Sequence, residues 1–585
     1  MKMHIICYLM ALLLPSSLLA VVALVHASHI VRSHSGTFHG LTKEAANGLT
    51  YKAFLGIPYA QPPVGELRFR PPVPLVLEGK EGDYYATEFK PFCIQINPVK
   101  TTHDFGLGEE DCLYLNVYSP NSAGEQGSLK KVFVFVHGGG NMNGMSDLYL
   151  PGRLVTEKDV IVVTINYRLG YLGFLSSLSP ECEGNFGLLD QLLAISWVKE
   201  NIVNFGGDSY DITIGGESAG GIDVSFLNLV PHSRDLFTRS ISFSGMSGVA
   251  QPLVVRDPKA TFVQIAKQFE CLNAAVSDPK SQQEMEEIVE CLRGVPAEKF
   301  GFEAIVSVPD IGPVAYGDLF PGPLVNLFND KNYLDSINFY ERAYFISLCY
   351  NEGDIFNVVN ENILANLPEE QRKAIPPNAM QFNTFSRFLS DKFGPVSNQV
   401  VAKVIEYYNW NYEVNPLADF SADAIFHIPT LQWAAAATKG LATENNKIRL
   451  FRFVHWPKML TGPYKGLIHG MDLLYLFDLD PEFINKIINL HVNGSLWDDT
   501  EEYLKNKYLS IIGDFINTGN PALSLEEDLP GGWPPFDEQE GHYLQFGLTP
   551  QIKTQLKADG VQLWSQQIPE WIREYPLEQP VHLEL

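Results

Sequence analysis

Short, unbroken apolar runs recur along the chain at Val132–Val136, Val160–Ile165, Ile212–Ile214, Ala343–Ile346 and Ile448–Val454. A strand with one face in water alternates apolar and polar residues, whereas a strand covered on both faces is apolar throughout. The runs therefore predict buried strands of a parallel sheet. Between them apolar residues recur at helical spacing, as in Leu188, Leu189, Leu192, Leu193 and Trp197 ahead of Ile202. Strands alternating with helices predict an α/β fold. No repeat, low-complexity tract or long linker interrupts this pattern, and Pro376-Pro377 comes nearest to a break.

The N-terminus departs from the pattern. Lys2 precedes an apolar stretch from Ile5 to Leu24 and then Val25, His26 and Ala27. This is the layout of a secretory signal cleaved after Ala27, which would leave residues 28–585 as the mature chain. No later stretch is long and apolar enough to span a bilayer, and the polar C-terminus offers no lipid-anchor tail, so no stable membrane insertion is expected after cleavage. The chain carries 42 Lys and Arg against 68 Asp and Glu, a net charge of −26, which argues against nucleic acid or anionic membrane as partner.

Six cysteines follow the leader: Cys93, Cys112, Cys182, Cys271, Cys291 and Cys349. A secretory compartment permits disulfides, and six cysteines allow about 15 full connectivities. The local pairs Cys93–Cys112 and Cys271–Cys291 would each close a loop of about 20 residues, worth roughly 3 kcal/mol. Cys182 and Cys349 read as buried free thiols. No zinc-ligand spacing occurs, and the chemistry described next requires no metal or cofactor.

The run Ile212–Ile214 leads into Gly216, Glu217, Ser218, Ala219 and Gly220, and an apolar-periodic segment continues through Phe226 and Leu229. A Gly-x-Ser-x-Gly match alone is weak; between a strand and a helix it is a nucleophile elbow. Serine is a poor nucleophile until a base takes its proton, and an acyl-transfer intermediate needs donors for its oxyanion. The strand Val132–Val136 runs straight into His137, Gly138, Gly139 and Gly140, so the N–H groups of Gly139, Gly140 and Ala219 are the expected oxyanion hole. The acid and then the base follow the serine in such chains. Seven histidines lie downstream, and only His469 sits in a loop with flanking glycines. Glu352 follows the strand at Ala343–Ile346 and stands beside Gly353.

Together these residues resemble the type-B carboxylesterase family of α/β-hydrolases, which also holds cholinesterases and juvenile-hormone esterases. The stretch Ala53–Phe69 is similar to the family's N-terminal block, and Glu110, Asp111, Cys112 and Asn116 to its second signature. Further blocks match around Asn166 and Arg168, Gly184 to Gln191, Phe205 to Asp208, and Gly519 to Pro521. The resemblance implies a central, mostly parallel twisted sheet flanked by helices, with large insertions over the active site, in one domain spanning about 28–585. It implies Ser218 as nucleophile, Glu352 as acid and His469 as base in a serine esterase acting through an acyl-enzyme, and small-molecule esters, xenobiotic or endogenous and lipophilic, as substrates. It also implies disulfides Cys93–Cys112 and Cys271–Cys291, and structural ion pairs Arg68–Glu110 and Arg168–Asp190. Ser244 resembles the family's serine near the triad acid, although Phe243 stands where Gln is usual. Glu217 resembles a carboxylate beside the histidine.

Departures narrow the choice. Residues 94–111 lack the Trp with which cholinesterases cage a quaternary ammonium. Juvenile-hormone esterases carry Gln where this chain has Glu217. Non-catalytic adhesion relatives lack the serine, and here all three triad positions are filled. Asn141 stands where relatives often place an aromatic. General ester hydrolysis is thus the leading expectation, with a hormone- or odorant-specific esterase next, and a binding or adhesion protein last. The chain ends His582, Leu583, Glu584, Leu585, similar to a His-x-Glu-Leu endoplasmic-reticulum retrieval tail. Retention in the lumen through a retrieval receptor is favoured over secretion. Asn493 heads the sole Asn-x-Ser/Thr sequon, so at most one N-glycan is expected. A neutral imidazole base predicts kcat/KM rising with pH through a pKa of about 6–7.

Overall fold

The predicted runs all form strands of one sheet. The computed structural model describes residues 29–577 except 78–82, 96–107, 247–256, 277–278, 280, 302–310, 315–316, 318, 356–378, 412–414, 440, 442–445, 458–459, 462–468, 479–490 and 493–496. The leader, Pro376-Pro377, the Asn493 sequon and the C-terminal tail therefore fall outside the described residues.

The strands are β1 His29–Ser33, β2 Gly36–Glu44, β3 Thr50–Pro58, β4 Asp83–Tyr85, β5 Tyr114–Pro120, β6 Lys130–Val136, β7 Ile161–Ile165, β8 Gly207–Glu217, β9 Arg239–Phe243, β10 Ala343–Cys349, β11 Ile448–Phe453, β12 Leu460–Thr461, β13 His491–Val492, β14 Tyr543–Phe546 and β15 Gln551–Lys553. All but β12 and β13 join one 13-stranded sheet in the order β1-β2-β3-β5-β7-β6-β8-β9-β10-β11-β14-β15, with β4 on β2. From β7 to β14 every neighbour is parallel. The first four along that path and the far edge β15 are antiparallel.

Along β6 successive side chains point to opposite faces, as strand geometry requires. Val132, Val134 and Val136 enter a core with Trp433, Tyr408 and Trp564, whereas Phe133 and Phe135 enter a second core with Leu504, Tyr508 and Ile512. The latter three lie on the helix Asp499–Thr518, which covers that face. Each ring so buried stabilises the fold by roughly 1.5–3 kcal/mol. The helix read from Leu188 to Trp197 spans Phe186–Asn201, and the one after the elbow spans Ala219–Leu227. Cys271–Cys291 staples a smaller third cluster around Phe262, Ile288 and Leu292.

Candidate active site

Ligands in open α/β sheets bind beyond the carboxyl ends of the strands. Five adjacent parallel strands, β6, β8, β9, β10 and β11, are followed in the chain by Gly139, Ser218, Ser244, Glu352 and His469 respectively. The sheet order thus gathers residues scattered over hundreds of positions.

Ser218 sits between the end of β8 and the helix Ala219–Leu227 with φ 55° and ψ −123°, a strained conformation for a residue with a side chain. Its N–H donates to the Phe243 carbonyl at 2.9 Å, and its carbonyl accepts the Ile222 N–H at 3.0 Å. The turn is tight enough that a side chain at Gly220 would strike the backbone of Val136 and His137. Glycine is required there by close approach. Among the described residues Ser218 Oγ has no hydrogen-bond partner, so the structure leaves the Ser218–His469 link open.

The two residues expected as acid and base do meet. His469 Nδ1 lies 2.7 Å from Glu352 Oε2. The other carboxylate oxygen, Oε1, accepts Ser244 Oγ–H at 2.7 Å and the Cys349 N–H at 2.6 Å. Glu352 is fully buried with both oxygens engaged. The ring of Phe426, on a π-helical turn Asp423–His427, packs 4.4 Å from the imidazole. Of the other downstream histidines, His427 pairs with Asp423, His455 with Glu501 and His542 with Asp537.

Glu217 approaches from the other side, its Oε1 3.3 Å from His469 Nε2. Burial raises its pKa to about 7, with His469 pulling it down and Asp472 and Glu352 pushing it up. Burial by itself would lower the pKa of His469. The negative charges of Glu217, Glu352 and Asp472 outweigh it and hold His469 above its ordinary 6.5. Asp472 is fully buried and raised to about 6 by desolvation and by Glu352. Ser347 and Tyr508 hydroxyls donate to its Oδ2 at 3.2 and 3.0 Å, and the Cys349 thiol lies 3.5 Å from Oδ1.

The glycine loop after β6 takes left-handed values, φ 105° at Gly139 and 65° at Gly140. The N–H groups of Gly139, Gly140 and Ala219 find no acceptor among the described residues, which leaves them free for an oxyanion. The loop is anchored by Asn141, buried at φ 58°. Its Nδ2 donates to Asp223 Oδ1 at 3.1 Å, and its Oδ1 accepts the Tyr167 hydroxyl at 3.2 Å. Gln191 holds the other Asp223 oxygen at 2.7 Å. Asn141 therefore ties the loop to the helix that begins at the elbow. His137 stacks on Tyr167, and burial drops its pKa to about 4, so it stays neutral.

The scaffold pairs form as well. Arg68 donates to both oxygens of Glu110 at 2.5 and 2.8 Å, and Arg168 to both oxygens of Asp190 at 2.7 Å. Cys93–Cys112 and Cys271–Cys291 are bonded, and Cys182 and Cys349 are buried free thiols.

Asp472 and Asp223 escaped the sequence reading because a carboxylate in a sequence looks like a solvated charge. The available signals were a carboxylate three residues after His469 and a lone charge in the apolar helix behind the elbow. Among the described residues no group of three or more His, Cys, Asp or Glu side chains could hold a metal ion, and no helix is long and apolar enough to cross a membrane.

Residues 27–564 match the family described as the carboxylesterase family. The chain is 31% identical to cocaine esterase of Homo sapiens over 96% of this chain and 95% of that one. It is 30% identical to liver carboxylesterase of Sus scrofa over 88% of each. To acetylcholinesterase-1 of Trittame loki it is 31% identical over 78% of this chain and 82% of the relative.

Proposed function

The chain belongs to the carboxylesterase family, a family of carboxylic ester hydrolases, and on that premise we propose that it hydrolyses esters through an acyl-enzyme built on Ser218, His469 and Glu352. In the proposed sequence Ser218 Oγ attacks the ester carbonyl carbon as its proton passes to His469 Nε2. The carbonyl π electrons become an oxyanion received by the N–H groups of Gly139, Gly140 and Ala219. Collapse breaks the ester C–O bond, and His469 returns the proton to the departing alkoxide. Water, deprotonated by the same nitrogen, then attacks the acyl carbon and releases the acid and Ser218. Glu352 remains ionised throughout, fixing the tautomer with Nε2 bare and stabilising the imidazolium.

The observation that carries this reading is the saturated Glu352 carboxylate. The Ser244 hydroxyl and the Cys349 N–H hold one oxygen, so the other is aimed at His469 Nδ1. Lipophilic esters, xenobiotic or endogenous, are the proposed substrates. The proposal extends to one α/β-hydrolase domain over 28–585, a cleaved leader, and residence in the secretory pathway with retrieval to the endoplasmic reticulum. The two disulfides and the tail support that route. The direct test is a fluorophosphonate probe: the adduct is expected on the Ser218 peptide and absent in Ser218→Ala. Folded protein left unlabelled at Ser218 would overturn the proposal.

The electrostatics set the pH dependence. The base must be neutral, so kcat/KM falls as pH drops through the pKa of His469, and the carboxylates place that limb above 6.5. Glu217→Gln removes the negative charge nearest Nε2 and is expected to move the limb toward lower pH. A profile measured between about pH 5 and 9 on a non-ionising ester decides it. A limb below the ordinary histidine value, or one that Glu217→Gln leaves in place, contradicts the assignment.

Asn141 offers a second test. Asn141→Ala loses the bond to Asp223 and puts a Cβ-bearing residue with no polar side chain at φ 58°. The loosened oxyanion loop is expected to lower kcat by roughly 10–100-fold with little change in KM. Asn141→Gly tolerates the backbone but still lacks the anchor, so it should lose kcat similarly. If Asn141→Gly is fully active, the side chain does not hold the loop.

A further inference from the structure

Among the described residues the buried arginines each have carboxylate or carbonyl partners. Arg68 and Arg168 grip carboxylates, Arg153 bridges Glu157 and Glu502, and Arg342 is ringed by the carbonyls of Asn228, Ser233 and Arg234. Arg449, which is part-buried, is not held in this way. It is the second residue of β11, facing Phe345 of β10, at the end of the sheet opposite the site described above. Among the described residues it pairs with no carboxylate, and its side chain's sole hydrogen bond is a 3.5 Å contact from Nη1 to the carbonyl of its own neighbour Ile448. Its Nε is buried without an acceptor, as are those of Arg342 and Arg452, but Arg449 also borders a cleft. Burial lowers its pKa to about 10, so the guanidinium remains charged at neutral pH.

This cation borders a cleft of about 240 Å³ whose wall includes Asn520, Leu525, Leu529 and Trp533. Trp533 is 3% exposed, and its indole Nε1–H is likewise buried without an acceptor. Two residues lining one cleft thus each hold a buried N–H without an acceptor, whereas buried N–H groups are ordinarily satisfied. Ala522 and Gly532 complete the wall together with Glu526. Glu526 stands at the rim, exposed, and leaves the guanidinium unpaired.

We propose that this cleft is a second binding site, distinct from the ester-cleaving one, for a small carboxylate carrying a short apolar chain. The guanidinium fork matches the planar carboxylate, the amide of Asn520 adds a donor to hand, and Leu525 and Leu529 receive the chain. A single negative charge fits better than a phosphate dianion, because only one cation faces the cleft and Glu526 repels further charge. Carboxylates are also what ester hydrolysis releases, so the protein makes molecules of this class.

Titration calorimetry of the full-length protein with hexanoate tests the site, with hexanamide and inorganic phosphate as the other probes and Arg449→Met as the variant. Wild type is expected to bind hexanoate saturably, and Arg449→Met to bind it at least roughly tenfold more weakly while keeping ester turnover. Hexanamide should fail to bind at this site, and phosphate should fail to compete. Ala522→Phe, which fills the cleft and keeps the guanidinium, should also lose hexanoate, and it decides the matter should Arg449→Met not fold. Equal hexanoate binding by wild type and both variants, or no binding by wild type, overturns the proposal. Phosphate competing as well as hexanoate overturns it in favour of an inorganic-anion site.

Discussion

Ser218→Ala is expected to lower kcat for a p-nitrophenyl ester by roughly a million-fold, with KM nearly unchanged. The substitution removes one oxygen that has no hydrogen-bond partner among the described residues, so neither the elbow nor the Glu352–His469 pair loses a contact. The strained backbone at φ 55° is held by the Phe243 carbonyl and the Ile222 N–H, both main-chain contacts that alanine keeps. Stability should therefore stay within about 1 kcal/mol of the parent. The residual rate should still exceed hydrolysis in plain water, since the open N–H groups of the glycine loop would continue to polarise a bound carbonyl. A variant retaining a hundredth or more of parental kcat, after exclusion of contaminating esterase, would show that Ser218 is not the nucleophile.

Glu352→Gln is expected to cost about four orders of magnitude in kcat, and the reason is geometric. The parental carboxylate accepts three hydrogen bonds, whereas an amide has one acceptor oxygen and an NH₂. The Ser244 hydroxyl can rotate away from an NH₂, but the Cys349 N–H is fixed in the backbone, so the amide oxygen must face Cys349 and the NH₂ must face His469. The imidazole can then accept at Nδ1 only by carrying its proton on Nε2, where the base should be bare. The double variant Ser218→Ala, Glu352→Gln should be no slower than Ser218→Ala alone, because the groups act as a unit. A loss below tenfold in steady-state kcat would remove Glu352 from the mechanism.

The parallel strands were legible because both faces of each are covered, and Val132–Val136 or Ile161–Ile165 can be little else. The strands β1 to β5 were not read, since β1, half-exposed along its length, carries no comparable apolar run. β9 was missed as well, for Arg239–Phe243 interleaves serines that are buried against its neighbours. Ser218, the glycine loop and His469 announced themselves through glycine, which marks positions where backbone must come close or turn left-handed. Asp472, Asp223 and Asn141 carried no such mark, and their burial follows from partners far away in the chain. Arg449 was hidden for a related reason: in β11 it alternates with apolar residues as any half-exposed arginine would.

The sheet order also bears on how the protein comes into being. Synthesis runs from the N-terminus, so the elbow with Ser218 exists long before β11 and the loop that carries His469. A half-made chain would hold a serine with no base near it and would be inert toward the esters around it. On the proposed roles, reactivity would switch on only when β11 docks beside β10, a contact between segments about a hundred residues apart. Phosphonate capture on nascent or refolding chains would then act as a clock for that last docking event, and premature hydrolysis by incomplete chains would be avoided by topology alone.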